Sequence, residues 1–401
     1  MVLYTRFTND IISKMKKILF YIVLFCCVFI YGSCEKTQPE DAVDFKYEIT
    51  MGDTLDLPSW YSLIDSVCYI PLKTDEKTVM GEVEQIIVKD DLIYILANGV
   101  YCFDLSGNIK FKIANRGRAR NEFIEATTLS VSDGYLCLYD KMKGKEIYYD
   151  AYTGKYVEDV DVPVGGRKVY VFGDNLLFDD VQSGGRKYTR FKVYSKNRLN
   201  RVKAGYFSEK EHEGSIRGTI SWSNDGIIYS SYLRNIAWKM NGKECVPYVK
   251  VIIPEDKRLS NKTINGMITD KMINTQGYNA SEAIYGLSYL AECNSFITGR
   301  LTYSNSFLFF IYDKETGNAR FFRTLPNIEP WQRIPVGECT TGEDKYMYSI
   351  VTSESLLFLK NLLGNVGVEP SEKMYREAYN VMNSVNIDDN PVVAKFKLKR
   401  L

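Results

Sequence analysis

Residues 115–123 read Asn-Arg-Gly-Arg-Ala-Arg-Asn-Glu-Phe, with three guanidinium groups at alternate positions. A planar arginine fork grips carboxylate or phosphate groups. Arg116, Arg118 and Arg120, with Glu122 in the same loop, are therefore candidate ligand contacts. The competing reading is that they pair with Glu122 and Glu125 or stay solvated. Arg167 and Arg186 each follow two glycines, in VGGRK and SGGRK, and are candidates of the same kind in loops. Trp331, in IEPWQRIP, can stack on a ligand face, whereas Trp222 and Trp238 lie in stretches that read as core packing.

Catalytic vocabulary is sparse. The single histidine, His212, lies in the charged run SEKEHEGS, so Ser-His-Asp hydrolysis and His-zinc chemistry lack their placed imidazole. No GxxxxGK[ST] phosphate loop occurs. Carboxylate acid-base chemistry on a polysaccharide stays open, because its two acids need not be close in sequence. Nine cysteines are present without a CxxC pair, so neither a metal site nor a cofactor is expected, and most of them read as small buried apolar residues. A net charge of +1 gives no field suited to nucleic acid.

Positioning these groups falls to β-structure. Thirty tyrosines and twenty phenylalanines favour strands. Similar turns recur in CFDLSGNIKFKI, YYDAYTGKYVEDV, WKMNGKECVPYV and IYDKETGNARFFR, marked by Gly107, Gly154, Gly242 and Gly317. Gly107 and Gly154 are 47 residues apart, and Gly154 and Gly242 are 88 apart, with VYSKNRLNRVK supplying the turn between them. A period near 45 fits one four-stranded propeller blade. Units begin near residues 83, 127, 168, 216, 283 and 334.

Two segments exceed the period. The first, residues 255–282, is polar and lacks alternation; the second, residues 353–385, holds two short helical patterns. The sixth unit lacks a fourth strand at the C-terminus, and IDSVCYIPLKT, residues 64–74, can supply it. The expected fold is all-β: a six-bladed β-propeller closed by pairing its N- and C-terminal strands, with short helical insertions late in the chain.

The stretches VCYIPLKTDEKTVMGEVEQIIVKDDLIYIL, VYCFDLSGNIKFKI and NRGRARNEF resemble the six-bladed β-propeller lipoproteins of Bacteroidetes, related in architecture to NHL-repeat propellers. Members often read Gly-Arg-Gly-Pro-x-Glu-Tyr in the loop; Arg116, Gly117, Arg118, Glu122 and Phe123 fit, and Ala119 and Arg120 replace Gly-Pro. The resemblance implies a shape more than an activity.

The N-terminal region fits an exported protein. MKKILFYIVLFCCVFIYGSC has a basic start, a short apolar run and small residues before Cys34. It resembles a lipobox, which makes Cys34 the expected lipid attachment site. Residues 1–33 are then an upstream extension and signal, 34–45 a tether, and 46–401 the propeller. The expected role is a non-catalytic module, lipid-anchored at the outer membrane, that binds a glycan, peptide or envelope protein. The alternative is a propeller enzyme acting on polysaccharide.

Overall fold

The computed structural model describes residues 43–52, 63–76, 78–162, 167–179, 189–208, 218–223, 225–230, 234–259, 263, 283–303, 306–323, 339–341, 345–364 and 373–401. Two strands come first, β1 (Tyr47–Thr50) and β2 (Ile64–Pro71). Blade 1 follows as β3 (Gln85–Lys89), β4 (Leu92–Leu96), β5 (Val100–Asp104) and β6 (Ile109–Ile113). Blade 2 is β7 (Ala126–Ser132), β8 (Tyr135–Asp140), β9 (Lys145–Asp150) and β10 (Tyr156–Asp161). Blade 3 is β11 (Lys168–Phe172), β12 (Asn175–Asp179), β13 (Thr189–Ser195) and β14 (Arg198–Ser208). Blade 4 is β15 (Thr219–Ser223), β16 (Gly226–Ser230), β17 (Ile236–Met240) and β18 (Cys245–Ile252). Blade 5 is β19 (Ile284–Glu292), β20 (Phe296–Tyr303), β21 (Ser306–Asp313) and β22 (Ala319–Arg323).

Blade 6 joins the chain ends. Its strands β23 (Cys339–Thr341), β24 (Met347–Val351) and β25 (Val392–Leu398) are completed by β2, which pairs antiparallel with β25 from Ile64↔Leu398 to Pro71↔Val392. The six-bladed propeller expected from the repeats is the fold. Asn390, 4% exposed, reinforces the closure. Its Oδ1 accepts the Met80 N–H at 3.0 Å, and its Nδ2 donates to the carbonyls of Lys73 and Thr78, each at 3.0 Å. Two helices, α1 (Ser353–Gly364) and α2 (Lys373–Ser384), lie between β24 and β25, in the second long segment, and Ala378 and Met382 are buried as the α2 pattern predicts.

First strands of successive blades meet: β3 with β7, β7 with β11, β15 with β19, β19 with β23, and β23 with β3, so they form the inner ring. Middle strands are buried on both faces, which is why β4, β8, β12 and β16 read as nearly continuous apolar runs. Outer strands such as β6 and β10 keep polar positions in water. Tyrosine suits the layers between blades because its ring fills the gap and its hydroxyl can reach backbone. Tyr94, fully buried on blade 1, donates to the Ala151 carbonyl of blade 2 at 3.1 Å.

Strand direction alternates within a blade, so its connections fall at two ends. Turns joining first to second and third to fourth strands share one, here the turn end; second-to-third connections and interblade linkers share the other, the linker end. The repeated glycine turns belong to the turn end. Gly107, Gly154, Gly242 and Gly317 have φ of 79°, 67°, 76° and 74°, a region glycine enters without strain. A preceding Asp or Asn side chain closes each turn: Asp104 on the N–H groups of Ser106 and Asn108, Asp150 on Tyr152 and Thr153, Asn241 on Lys243 and Glu244, Asp313 on Glu315 and Thr316.

β1 lies outside the repeat. It pairs in parallel with β18, Tyr47↔Val249 through Thr50↔Ile252, as a fifth strand on blade 4. Cysteines follow expectation at Cys102, Cys137 and Cys293, which are buried; Cys68, on the outermost strand β2, is exposed instead, because an edge strand keeps one face in water. No described helix is long and apolar enough to cross a membrane.

Candidate functional site

At the turn end, first-to-second-strand turns of blades 1 to 4 surround a mouth of about 520 Å³. Lys89, Asp133, Phe172, Asp174 and Trp222 line it, together with Lys243 from the third-to-fourth-strand turn of blade 4. Backbone chemistry explains the carboxylates. A two-residue hairpin needs left-handed backbone, which Asp and Gly tolerate, and Asp90, Asp91, Asp133, Gly134 and Gly173 all have positive φ. Successive blades thereby bring carboxylates to one rim.

The wall of the mouth is aromatic. Trp222 meets Tyr170 edge-on with ring centroids 5.3 Å apart and lies 6.3 Å from Phe172. It packs in the core, as the sequence suggests, and also lines the mouth. On the rim, Lys89 donates to the Val131 carbonyl at 3.4 Å, and Asp133 accepts from Ser132 at 3.0 Å. The side chains of Asp174 and Lys243 make no hydrogen bond or ion pair among the described residues. They are free to engage a ligand.

Asp225 ties this rim to blade 5. Lys239 lies 2.5 Å from Asp225 and 2.7 Å from Glu292, while Lys314 holds the other Glu292 oxygen at 2.9 Å and the Tyr248 hydroxyl donates to it. Burial would raise the Glu292 carboxyl, but Lys239 and Lys314 carry it below the usual range. The same contest, won by Lys239, lowers Asp225. The network fixes blade 4 against blade 5.

Of the arginines singled out in the sequence, Arg116, Arg118, Arg120 and Arg167 lie at the linker end. Residues 115–123 fold on themselves: Gly117 N–H donates to the Phe123 carbonyl, Phe123 N–H to Asn115, and the Glu122 carboxylate accepts the Ala119 N–H at 2.9 Å. Glu122 thus shapes the loop. Lys143 caps it from blade 2, donating to the carbonyls of Ala119 and Glu122 at 2.7 and 2.8 Å. Arg116 donates to the Asn98 carbonyl at 3.2 Å and lies over Phe123. Arg118 and Arg120 are exposed, and Arg120 acts electrostatically on Asp159 at the outer strand β10.

Arg167 is exposed, with its N–H on the Asp179 carbonyl at 2.8 Å. It precedes Lys168, and Lys168 and Arg116 each oppose the burial that raises the Glu84 carboxyl. Cys34, Arg186, His212 and Trp331 lie outside the described residues. Among the described residues no group of three or more His, Cys, Asp or Glu is placed to hold a metal ion. None of Arg116, Arg118, Arg120 and Arg167 lines the turn-end mouth. The mouth was overlooked in the sequence although it left a signal, the Asp recurring in KDDL, SDGY, GDNL and NDGI.

Ring, closure strand and mouth define a closed six-bladed β-propeller with a polar, aromatic-walled opening at one end of its channel. The chain belongs to the family DUF4934, a domain of unknown function, whose profile matches residues 43–397. No curated protein matches the sequence. Among solved structures, BF0058 of Bacteroides fragilis NCTC 9343, provisionally described as an exported protein, is similar with a TM-score of 0.68 at 16% identity, over 88% of this chain and 99% of that one. A member of the DUF4221 family from Bacteroides vulgatus ATCC 8482 aligns with a TM-score of 0.48 at 10% identity, over 84% and 98% of the two chains. The similarity to BF0058 is one of fold.

Proposed function

We propose that this protein is a non-catalytic recognition module of the cell envelope, held to the outer membrane by a lipid on Cys34, that receives a glycan, a peptide or a partner protein at its turn-end mouth. The observation that carries the reading is the mouth itself. A volume of about 520 Å³ falls within the range of small-ligand sites, and an aromatic wall with a few uncommitted polar groups is their usual chemistry. Asp174 accepts and Lys243 donates, from neighbouring blades, while Trp222 and Phe172 supply apolar area.

The signal-like N-terminus and the exported description of BF0058 support an envelope location. For the polysaccharide-cleaving alternative, a general acid needs a raised pKa. Asp225, at the rim, is held ionised by Lys239, the wrong direction for that role.

The test is a binding screen of the protein against envelope glycans and peptides, with chromatography of each mixture. Saturable binding to intact ligand, weakened at least about tenfold by Asp174→Ala or Lys243→Ala, is expected. Cleavage products, or binding that ignores both substitutions, would overturn the reading. Cys34→Ser should move the protein from the detergent phase to the aqueous phase; equal partitioning would remove the lipid anchor.

A further inference from the structure

We propose that the ligand of the turn-end mouth is a neutral sugar, its ring stacked on Trp222 and Phe172 and its adjacent hydroxyls held by Asp174, Asn175 and Lys243. The inference rests on the binding role proposed above for the mouth and narrows it to one class of ligand.

Close packing brings the three polar groups together. A Cβ on Gly242 would lie 2.9 Å from the Asn175 Cβ and 3.4 Å from the Phe172 ring, so only glycine lets the blade 4 turn that carries Lys243 press against the blade 3 hairpin that carries Asp174. On the other flank, Gly173 N–H donates to the Ser132 hydroxyl at 3.3 Å, which seats the blade 2 hairpin beside it. Asn175, 8% exposed, has its amide oriented from β14, because its Oδ1 accepts from Lys203 Nζ at 2.9 Å. Its Nδ2 has no hydrogen-bond partner among the described residues and is not sealed from solvent, so it donates into the mouth that Asn175 lines.

Other charges on the rim are committed. Asp225 pairs with Lys239, Asp133 accepts from Ser132, and Lys89 donates to the Val131 carbonyl. Open to a ligand are the Asp174 carboxylate, which only accepts, and the Lys243 ammonium and Asn175 amide nitrogen, which only donate. A hydroxyl does both, so neighbouring hydroxyls of one ring can answer all three.

A ligand of one charge cannot do the same. An anion meets three lining aspartates against two lysines, and a cation leaves Lys243 unanswered. A zwitterion would match Asp174 and Lys243, but both are exposed, where water and salt screen an ion pair. Trp222 and Phe172 are half-buried and line the mouth, so part of each ring remains for a ligand to cover. A pyranose suits that wall: its C–H groups lie on its faces and its hydroxyls at its edge, so one molecule covers apolar area and reaches the polar rim.

The test is saturation-transfer NMR titration of the whole protein with the methyl glycosides of glucose, galactose and mannose, with N-acetylglucosamine, with anionic glucuronate and with zwitterionic triglycine. At least one neutral sugar should bind, at least about tenfold more weakly in Asp174→Ala and in Lys243→Ala. Its affinity should change less than about twofold between about 0.05 and 0.5 M sodium chloride, as a ligand without charge requires. Binding of triglycine or glucuronate with no binding of a neutral sugar would overturn the proposal, and its loss in Asp174→Ala would still leave the mouth as the site. If no probe responds to either substitution, the sugar and the recognition role of the mouth fail together.

Discussion

The two ends of the channel are made from different kinds of chain. At the turn end, short hairpins repeat one solution, an Asp or Asn side chain closing the turn and a residue with positive φ reversing it. At the linker end, the described connections include forms as unlike as the self-closed loop at 115–123 and the two helices α1 and α2. Repetition makes a rim whose carboxylates arise from backbone need. Charge at the first end follows from turn chemistry, whereas Arg116, Arg118, Arg120 and Arg167 at the second answer no requirement of a turn.

The largest effect that would sharpen this contrast is at Glu292. Glu292→Ala leaves Lys314 without a carboxylate and Lys239 with Asp225 alone, both mostly buried, and should cost about 3 kcal/mol in denaturant unfolding. A loss below about 1 kcal/mol would mean the turn-end network is not structural.

Next comes opposite response to acid. The folded-state pKa of Glu292 is lowered, so its stabilisation is present above the ordinary carboxylate range and lost as pH falls through the folded value. That of Asp179 is raised, so its contribution is complete below the ordinary value and lost as pH rises through the folded one. Between about pH 3 and pH 7, Glu292→Gln should therefore cost more as pH rises, and Asp179→Asn less. Parallel trends would erase the distinction between the two ends.

Smaller effects follow. Gly117→Ala puts a Cβ 2.0 Å from the Glu122 carboxylate, displacing it from the Ala119 N–H, and should cost about 1 kcal/mol by thermal melting. Asp91→Gly, at φ 58°, should raise stability by about 0.5 kcal/mol, since the turn there needs only left-handed backbone.

The same division explains what the sequence disclosed. Turn chemistry is local, so Gly107, Gly154, Gly242 and Gly317 counted blades before any coordinates, and β2 was visible as the strand a sixth blade lacked. β1 was not visible: Tyr47–Thr50 is short, its partner lies about two hundred residues away, and parallel pairing leaves no hairpin signal. Arg116 and Arg167 were read by residue type alone, which does not reveal that Arg116 is engaged by the Asn98 carbonyl and the Phe123 ring. Trp222 was read as packing because an alternating strand cannot reveal which core residue also borders an opening.

The closure between β2 and β25 also sets an order of events in time. Ile64 cannot meet Leu398 until the chain is almost complete, and at about 10 residues per second synthesis of the intervening segment takes about half a minute. Through that interval β2 has no sheet to join, and blade 1, already made, has one flank open to water. Ring formation is then a single late step of long loop closure, slow by topology and exposed to mispairing while it waits. Asn390, reaching back to Lys73, Thr78 and Met80, acts only after that wait, as the latch that makes the finished ring slow to reopen.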